Sequence, residues 1–188
     1  MNTKWIAISL SIFLMVLSLA VLPLNSYAHS HKNGTSSSSH SSMSMPSQIP
    51  SIGEKVIIIN PRIHAFGAYD ANGNLLRSGM ATAGNSWCRD IRRSCRTRVG
   101  SFRIYTLGSA GCRSHRYPLP HGGAPMPYCM FFNGNQGLHG SYEVVYGNIS
   151  HGCVRIHVDD ARWIRFNFVD GPNSSNGYRG TRVIVKPY

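Results

Sequence analysis

The sequence predicts a mainly β, loop-rich and disulfide-stapled domain with one helix near its C-terminal end, and three observations lead there. Nineteen glycines and ten prolines supply turn formers, while charged residues make up only 14% of the 188, so helix-favouring Glu and Lys are scarce and a helical bundle is excluded. β-Branched and aromatic residues gather in short runs separated by turn signals, which is how strands read. Five cysteines follow an apolar N-terminal segment, which suits a compartment where disulfides persist.

Residues 1–28 carry Lys4, an apolar run from Trp5 to Leu22 and the small-x-small close Ser26-Tyr27-Ala28, the signature of a cleaved export signal. The competing reading is an uncleaved anchor, since eighteen apolar-rich residues nearly cross a bilayer. Pro23 and the Ala28 site favour cleavage, with no stable membrane insertion afterwards. Residues 29–51, Ser- and His-rich, have almost nothing to bury and are expected to form a flexible linker. Within them His29, His31, His40, Met43 and Met45 are ligand types for a soft or borderline metal such as copper, on a chain that imposes no geometry. Residues 52–188 are enough for one core that buries about two-thirds of its unfolded surface.

Within that domain Lys55 to Asn60 reads as the first strand. Arg62 to Tyr69, the turn Asp70-Ala71-Asn72-Gly73-Asn74 and Leu75 to Ala83 read as a hairpin. Val99 to Leu107 and Tyr128 to Phe132 are further strands, and Thr181 to Val185 is the last, before Pro187. The single helix follows residue 158. Asp159 is its expected cap, Asp160 suits its positive end, and Val158 with Trp163 is placed as a hydrophobic staple. Ala161, Ile164 and Phe168 then share one face, to be laid against the sheet.

The chemistry concentrates between Gly137 and His157, where His139-Gly140 precedes Ser150-His151-Gly152-Cys153-Val154-Arg155. A thiol attacks as thiolate, and at an ordinary pKa of about 8.5 little of it is ionised at neutral pH, so a neighbouring imidazole has a proton to take. Gly152 leaves room for a substrate to approach the sulfur. It also allows a turn that would aim the Gly152 and Cys153 amides at a developing oxyanion. That outlines an acyl-transfer site.

These residues resemble the signature of the L,D-transpeptidase catalytic domain, also called YkuD-type: His-Gly, a spacer, then Ser/Thr-His-Gly-Cys, an aliphatic residue and Arg or Asn. Arg98-Val99-Gly100-Ser101-Phe102 is similar to the family's Thr-Pro-x-Gly-x-[FY] segment, with Arg98-Val99 in place of Thr-Pro. Lys55 to Gly84 resembles its opening strands and the Thr-Ala-Gly after them. The resemblance spans essentially all of 52–188 and implies a β-sandwich or barrel. It implies Cys153 as nucleophile, His139 as general base and later acid, and the Gly140 carbonyl as the group that orients the imidazole. Ser150, His151 and Gly152 would support the pocket and the oxyanion arrangement, and Arg155 would hold the motif loop or bind a substrate carboxylate. The implied reaction is attack on the third-residue carbonyl of a peptidoglycan stem peptide, release of D-Ala and transfer to an amine or to water, with no cofactor.

Five thiols cannot all pair within one exported chain, and Cys153 is the one expected to be free. Cys88, Cys95, Cys112 and Cys129 admit three pairings, of which Cys88–Cys95 with Cys112–Cys129 disturbs the expected strands least. A zinc site of His139, His151 and Cys153 is weighed against this, but no C-x-x-C or H-x-x-E-H spacing supports it.

Eight arginines, Arg89 to Arg116, stand within 28 residues against Asp90 alone, and the whole chain has a formal charge of +12. Such a cluster suits carboxylate-bearing stem peptides or anionic envelope polymers; a solvated basic face is the plainer reading. Nucleic acid is not expected as a partner, given the export signal and the lack of a recognisable binding module. Two functions of different kinds therefore stand: an exported cysteine L,D-transpeptidase in the periplasm or cell envelope, and an envelope or host-surface binding protein that keeps the fold without the activity.

Overall fold

The computed structural model describes residues 44–188; the expected export signal and the linker up to residue 43 lie outside the described residues. Among the described residues nine strands form two sheets. β1 (Val56–Asn60), β2 (Ala65–Tyr69) and β3 (Leu75–Met80) are consecutive and antiparallel, as the hairpin reading expects. β9 (Arg182–Val185) runs parallel to β1, and β4 (Gly100–Arg103) flanks it, giving the order β3-β2-β1-β9-β4. The second sheet has the order β5-β6-β7-β8, from Thr106–Leu107, Met130–Asn133, Gln136–Ser141 and Val154–His157.

One core lies between the sheets. Ile57, Ile59, Phe66 and Val183 from the first meet Met130, Phe132, Leu138, Val154 and Ile156 from the second. Alternation explains how β1 can be apolar throughout: its odd-numbered residues enter this core, while Val56 and Ile58 face the other way. That outer face also needs cover. Met45 supplies it, buried against Val56, Ile58 and Tyr69, while Tyr69 donates its hydroxyl to the Pro46 carbonyl at 2.9 Å and Ile49 N–H donates to Gly73 at 2.9 Å. The expected flexible linker is therefore corrected at its C-terminal end. The described residues from Met45 onward are held to the sheet because an exposed apolar face on β1 and β2 would cost more than ordering a few residues.

Two further expectations change. Val99 to Leu107 is not one strand: after β4 the chain crosses between sheets, Ile104 N–H bonding Thr181 and Tyr105 N–H bonding Phe131, so β5 belongs to the second sheet. Ile104, fully buried, marks the crossing. The helix α1 (Val158–Trp163) begins earlier than expected. His157 is its N-cap without a side-chain capping bond, because β8 leads into it directly, and Asp159 lies in the first turn instead. Val158 and Trp163 thus do not hold the staple positions. A π-helical turn, Ile164–Phe168, extends α1, and Ala161, Ile164 and Phe168 are buried in the core as their spacing requires. No helix among the described residues is long and apolar enough to cross a membrane.

Candidate active site

β7 and β8, which the periodicity reading did not identify, carry the site. They are neighbours and parallel, with Leu138 opposite Val154 and His139 opposite Arg155. Side chains alternate across a sheet, so Leu138, Val154 and Ile156 fill the core while His139 and Arg155 share the other face. Cys153, immediately before β8, lies two residues from Arg155 and so joins that face. His139, Cys153 and Arg155 line one cleft of about 1090 Å³.

A short network fixes the Cys153 loop. Gly152 takes φ +117°, a left-handed conformation that a side chain would strain. Ser150 Oγ donates to the Cys153 carbonyl and accepts the Gly152 N–H at 3.1 Å. Gly152 N–H is thereby committed, which corrects the expectation that it would face an oxyanion: the loop uses that amide to hold its own turn. Thr97 Oγ1, buried, donates to the Gly152 carbonyl at 2.9 Å and accepts Gly84 N–H at 3.0 Å. The Thr-Ala-Gly segment grips the motif at both ends: Ser150 N–H bonds Ala83, and Thr82 and Arg155 exchange two backbone hydrogen bonds at 2.9 Å.

Cys153 is free of disulfides and intermediate in exposure. Its Sγ lies 3.4 Å from the Asn135 carbonyl, which accepts the thiol proton. Burial pushes the thiol above its ordinary pKa, opposed by the Gly137 amide and the Arg155 charge, both of which favour thiolate. His139 Nδ1 lies 2.9 Å from the Gly140 carbonyl. A carbonyl only accepts, so Nδ1 carries the proton and Nε2 presents a lone pair. Burial drives the His139 pKa down to about 4, with the Gly140 carbonyl opposing and the Arg155 charge assisting. Burial thus favours the neutral form of each group.

The remaining expected site residues are placed as follows. His151 Nε2 is 2.8 Å from Asp90 Oδ2, and its ring packs on Tyr117 with centroids 4.3 Å apart. His151 thus fastens two loops of the Arg- and Cys-rich stretch to the motif. Arg155 bonds Glu143 at 3.1 Å, which supports the loop-holding role more than carboxylate capture. The disulfides are Cys88–Cys95 and Cys112–Cys129, with Cα separations of 5.9 and 6.1 Å. They agree with the expected pairing and brace the two loops that wall the cleft. Sequence reasoning missed Thr97, Asn135 and Gln136. Gln136 accepts Arg98 N–H at 2.9 Å and donates to the Arg96 carbonyl at 3.1 Å. No local pattern announces such residues, since their partners are distant in sequence.

The weighed zinc triad does not form. Among the described residues the one His, Cys, Asp and Glu group close enough to hold a metal is Cys88, Cys95 and His151. Two of its sulfurs are bonded to each other and offer no thiolate.

A family profile, YkuD, L,D-transpeptidase catalytic domain, matches residues 54–185. A search of curated proteins gave no significant match. Among solved structures, the chain is similar to an L,D-transpeptidase (residues 123–326) from Xylanimonas cellulosilytica at 23% identity and TM-score 0.59, covering 76% of this chain and 64% of that one. An L,D-transpeptidase from Mycobacterium smegmatis gives 20%, 0.54, 71% and 59% in the same order. L,D-transpeptidase 3 from Mycobacterium tuberculosis, in complex with a faropenem-derived adduct, gives 17%, 0.52, 71% and 60%. The chain thus spans about three-fifths of the length of each. At these identities the structural likeness speaks for the fold, and the profile match over more than half of the chain speaks for the family. The chain belongs to the L,D-transpeptidase catalytic domain family.

Proposed function

We propose that this protein is an exported cysteine L,D-transpeptidase of the cell envelope, acting on peptidoglycan stem peptides. The observation that carries the reading is the free Cys153 in one cleft with a neutral His139 whose Nε2 is left with its lone pair. As Sγ attacks the third-residue carbonyl, His139 Nε2 takes the thiol proton, so thiolate need not accumulate beforehand. The peptide C–N bond then breaks, the imidazolium returns the proton to the departing D-Ala amine, and a thioester on Cys153 remains. An acceptor amine, or water, attacks the thioester; His139 takes its proton and hands it to the leaving sulfur. The Gly137 amide and Arg155 stabilise negative charge on that sulfur.

The test is incubation of the full chain with faropenem and mass spectrometry of the peptides. One covalent adduct on Cys153, with none on Cys153→Ala, is expected, together with release of D-Ala from a stem tetrapeptide. A thiol that alkylates freely yet gives neither adduct nor D-Ala would overturn the enzymatic reading in favour of an inactive binding protein on the same fold.

A further inference from the structure

Arg93, Arg96, Arg113 and Arg116 line the same cleft as Cys153 and His139, and the chain's seven acidic side chains are already spoken for or lie elsewhere. Two acids line the cleft, and both are paired: Asp90 with His151, Glu143 with Arg155. Glu54 is shared by Arg103 and Arg182, Asp160 is taken by Arg77 and Asp170 by Lys55. Asp70 is capped by the Asn72 and Asn74 amides. Asp159 sits on the first turn of α1 and does not line the cleft. Among the described residues none of the four cleft arginines has an acidic partner.

Three are nevertheless held in place by groups that leave their charge intact. The Arg96 guanidinium lies 4.8 Å from the Tyr188 ring centroid and that of Arg116 lies 5.6 Å from Tyr117, whose ring packs on His151. Arg113 donates to the Gly123 carbonyl at 2.9 Å. Pre-positioned, unneutralised guanidinium groups in a concave site match planar anions. Their place inside the cleft, on both disulfide-braced loops, favours a short ligand with several carboxylates over a polymer laid across an outer face.

Resting on the function proposed above, we propose that these four arginines form a carboxylate-selecting subsite that makes the enzyme prefer stem peptides with free internal carboxyl groups over the same peptides amidated. Amidation removes the charge and the two-oxygen acceptor while keeping size and shape nearly constant. The preference is electrostatic and therefore weakens with salt.

The experiment measures Kd by calorimetry for free and amidated stem tetrapeptides on the full-length Cys153→Ala protein, so that binding is read without turnover. The free-carboxyl peptide is expected to bind about tenfold more tightly. In Arg96→Gln/Arg116→Gln this ratio should fall to about twofold or less, whereas Arg89→Gln/Arg98→Gln, which removes the same charge from the same stretch outside the cleft, should keep it. Equal affinities for the two peptides, or an equal loss in both double variants, would overturn the subsite. So would tight binding of inorganic polyphosphate with no preference between peptides. If the Gln pair misfolds, Arg96→Lys/Arg116→Lys replaces it: it keeps the charge and loses the planar fork, and should retain part of the preference. Failure of the wild type to release D-Ala bears on the proposed function, while the Kd ratio bears on the subsite.

Discussion

His139 stands directly opposite Arg155 in the parallel β7–β8 pair, two residues along from Cys153. This register gives one guanidinium influence over both groups: it disfavours charge on the imidazole and favours charge on the Cys153 sulfur. Burial disfavours charge on each. The balance favours the neutral form of both, which is the opposite of a preformed thiolate–imidazolium. In the proposed reaction, proton transfer would accompany attack on the substrate carbonyl.

The state of the thiol is directly measurable. Alkylation of Cys153 by iodoacetamide should rise with pH through an apparent pKa above that of an ordinary cysteine, and Arg155→Gln should move it higher still by removing a charge that favours thiolate. A rate already at its plateau below pH 7 would contradict the neutral resting pair.

Substituting His139, the proposed base, should separate chemistry from folding. His139→Ala is expected to lower turnover of a stem tetrapeptide by about 10² to 10⁴ while circular dichroism stays native-like. Loss of the folded signal would make His139 a structural residue.

Stability should also carry the mark of His139. Its pKa is about 4 in the folded protein against 6.5 for an ordinary histidine, so between those values the unfolded chain binds more protons and folding weakens as pH falls. The loss is complete below pH 4 and amounts to on the order of 3 kcal/mol. Urea denaturation at pH 7, 5.5 and 4 should show a decline that is shallower in His139→Gln. Parallel declines in the two proteins would refute the assignment.

Gly152 is expected to be intolerant because of where it lies as much as how it bends. A Cβ there meets Gln136 Nε2 at 3.0 Å in a left-handed backbone, so Gly152→Ala should cost about 1–3 kcal/mol and lower kcat by displacing Cys153. Gly53 is also left-handed, but has open space around it. Gly53→Ala should show part of the stability cost with kcat unchanged. Equal kcat in the two variants would mean that the Cys153 loop does not depend on this turn.

The candidate site was legible in the sequence because His139-Gly140 and Ser150 to Arg155 are short local patterns, and the same holds for the apolar runs of β1 and β9. β7 and β8 were not legible by alternation. Gly137 and Gly140 blur the strand signal in one, and β8 is only four residues long and runs straight into α1. The disulfide pairing was narrowed from the sequence to three arrangements and a favoured one, and the Cα separations agree with the favoured one.

Residue order alone determined which groups are candidates for chemistry: a thiol left over from two disulfides, and an imidazole in a short glycine-flanked pattern. It also determined that turns and short strands outnumber helices, since propensity and patterning act over a few neighbours. The tertiary structure decided the rest. Only the β7–β8 register sets His139 across from Arg155, and only the crossing at Ile104 sends β4 and β5 to different sheets. Only the packed loops leave four arginines of one cluster in the cleft while Arg103 is spent on Glu54. These outcomes depend on contacts between residues dozens of positions apart, where hydrogen-bond partners and burial are chosen by the whole fold and by no local pattern.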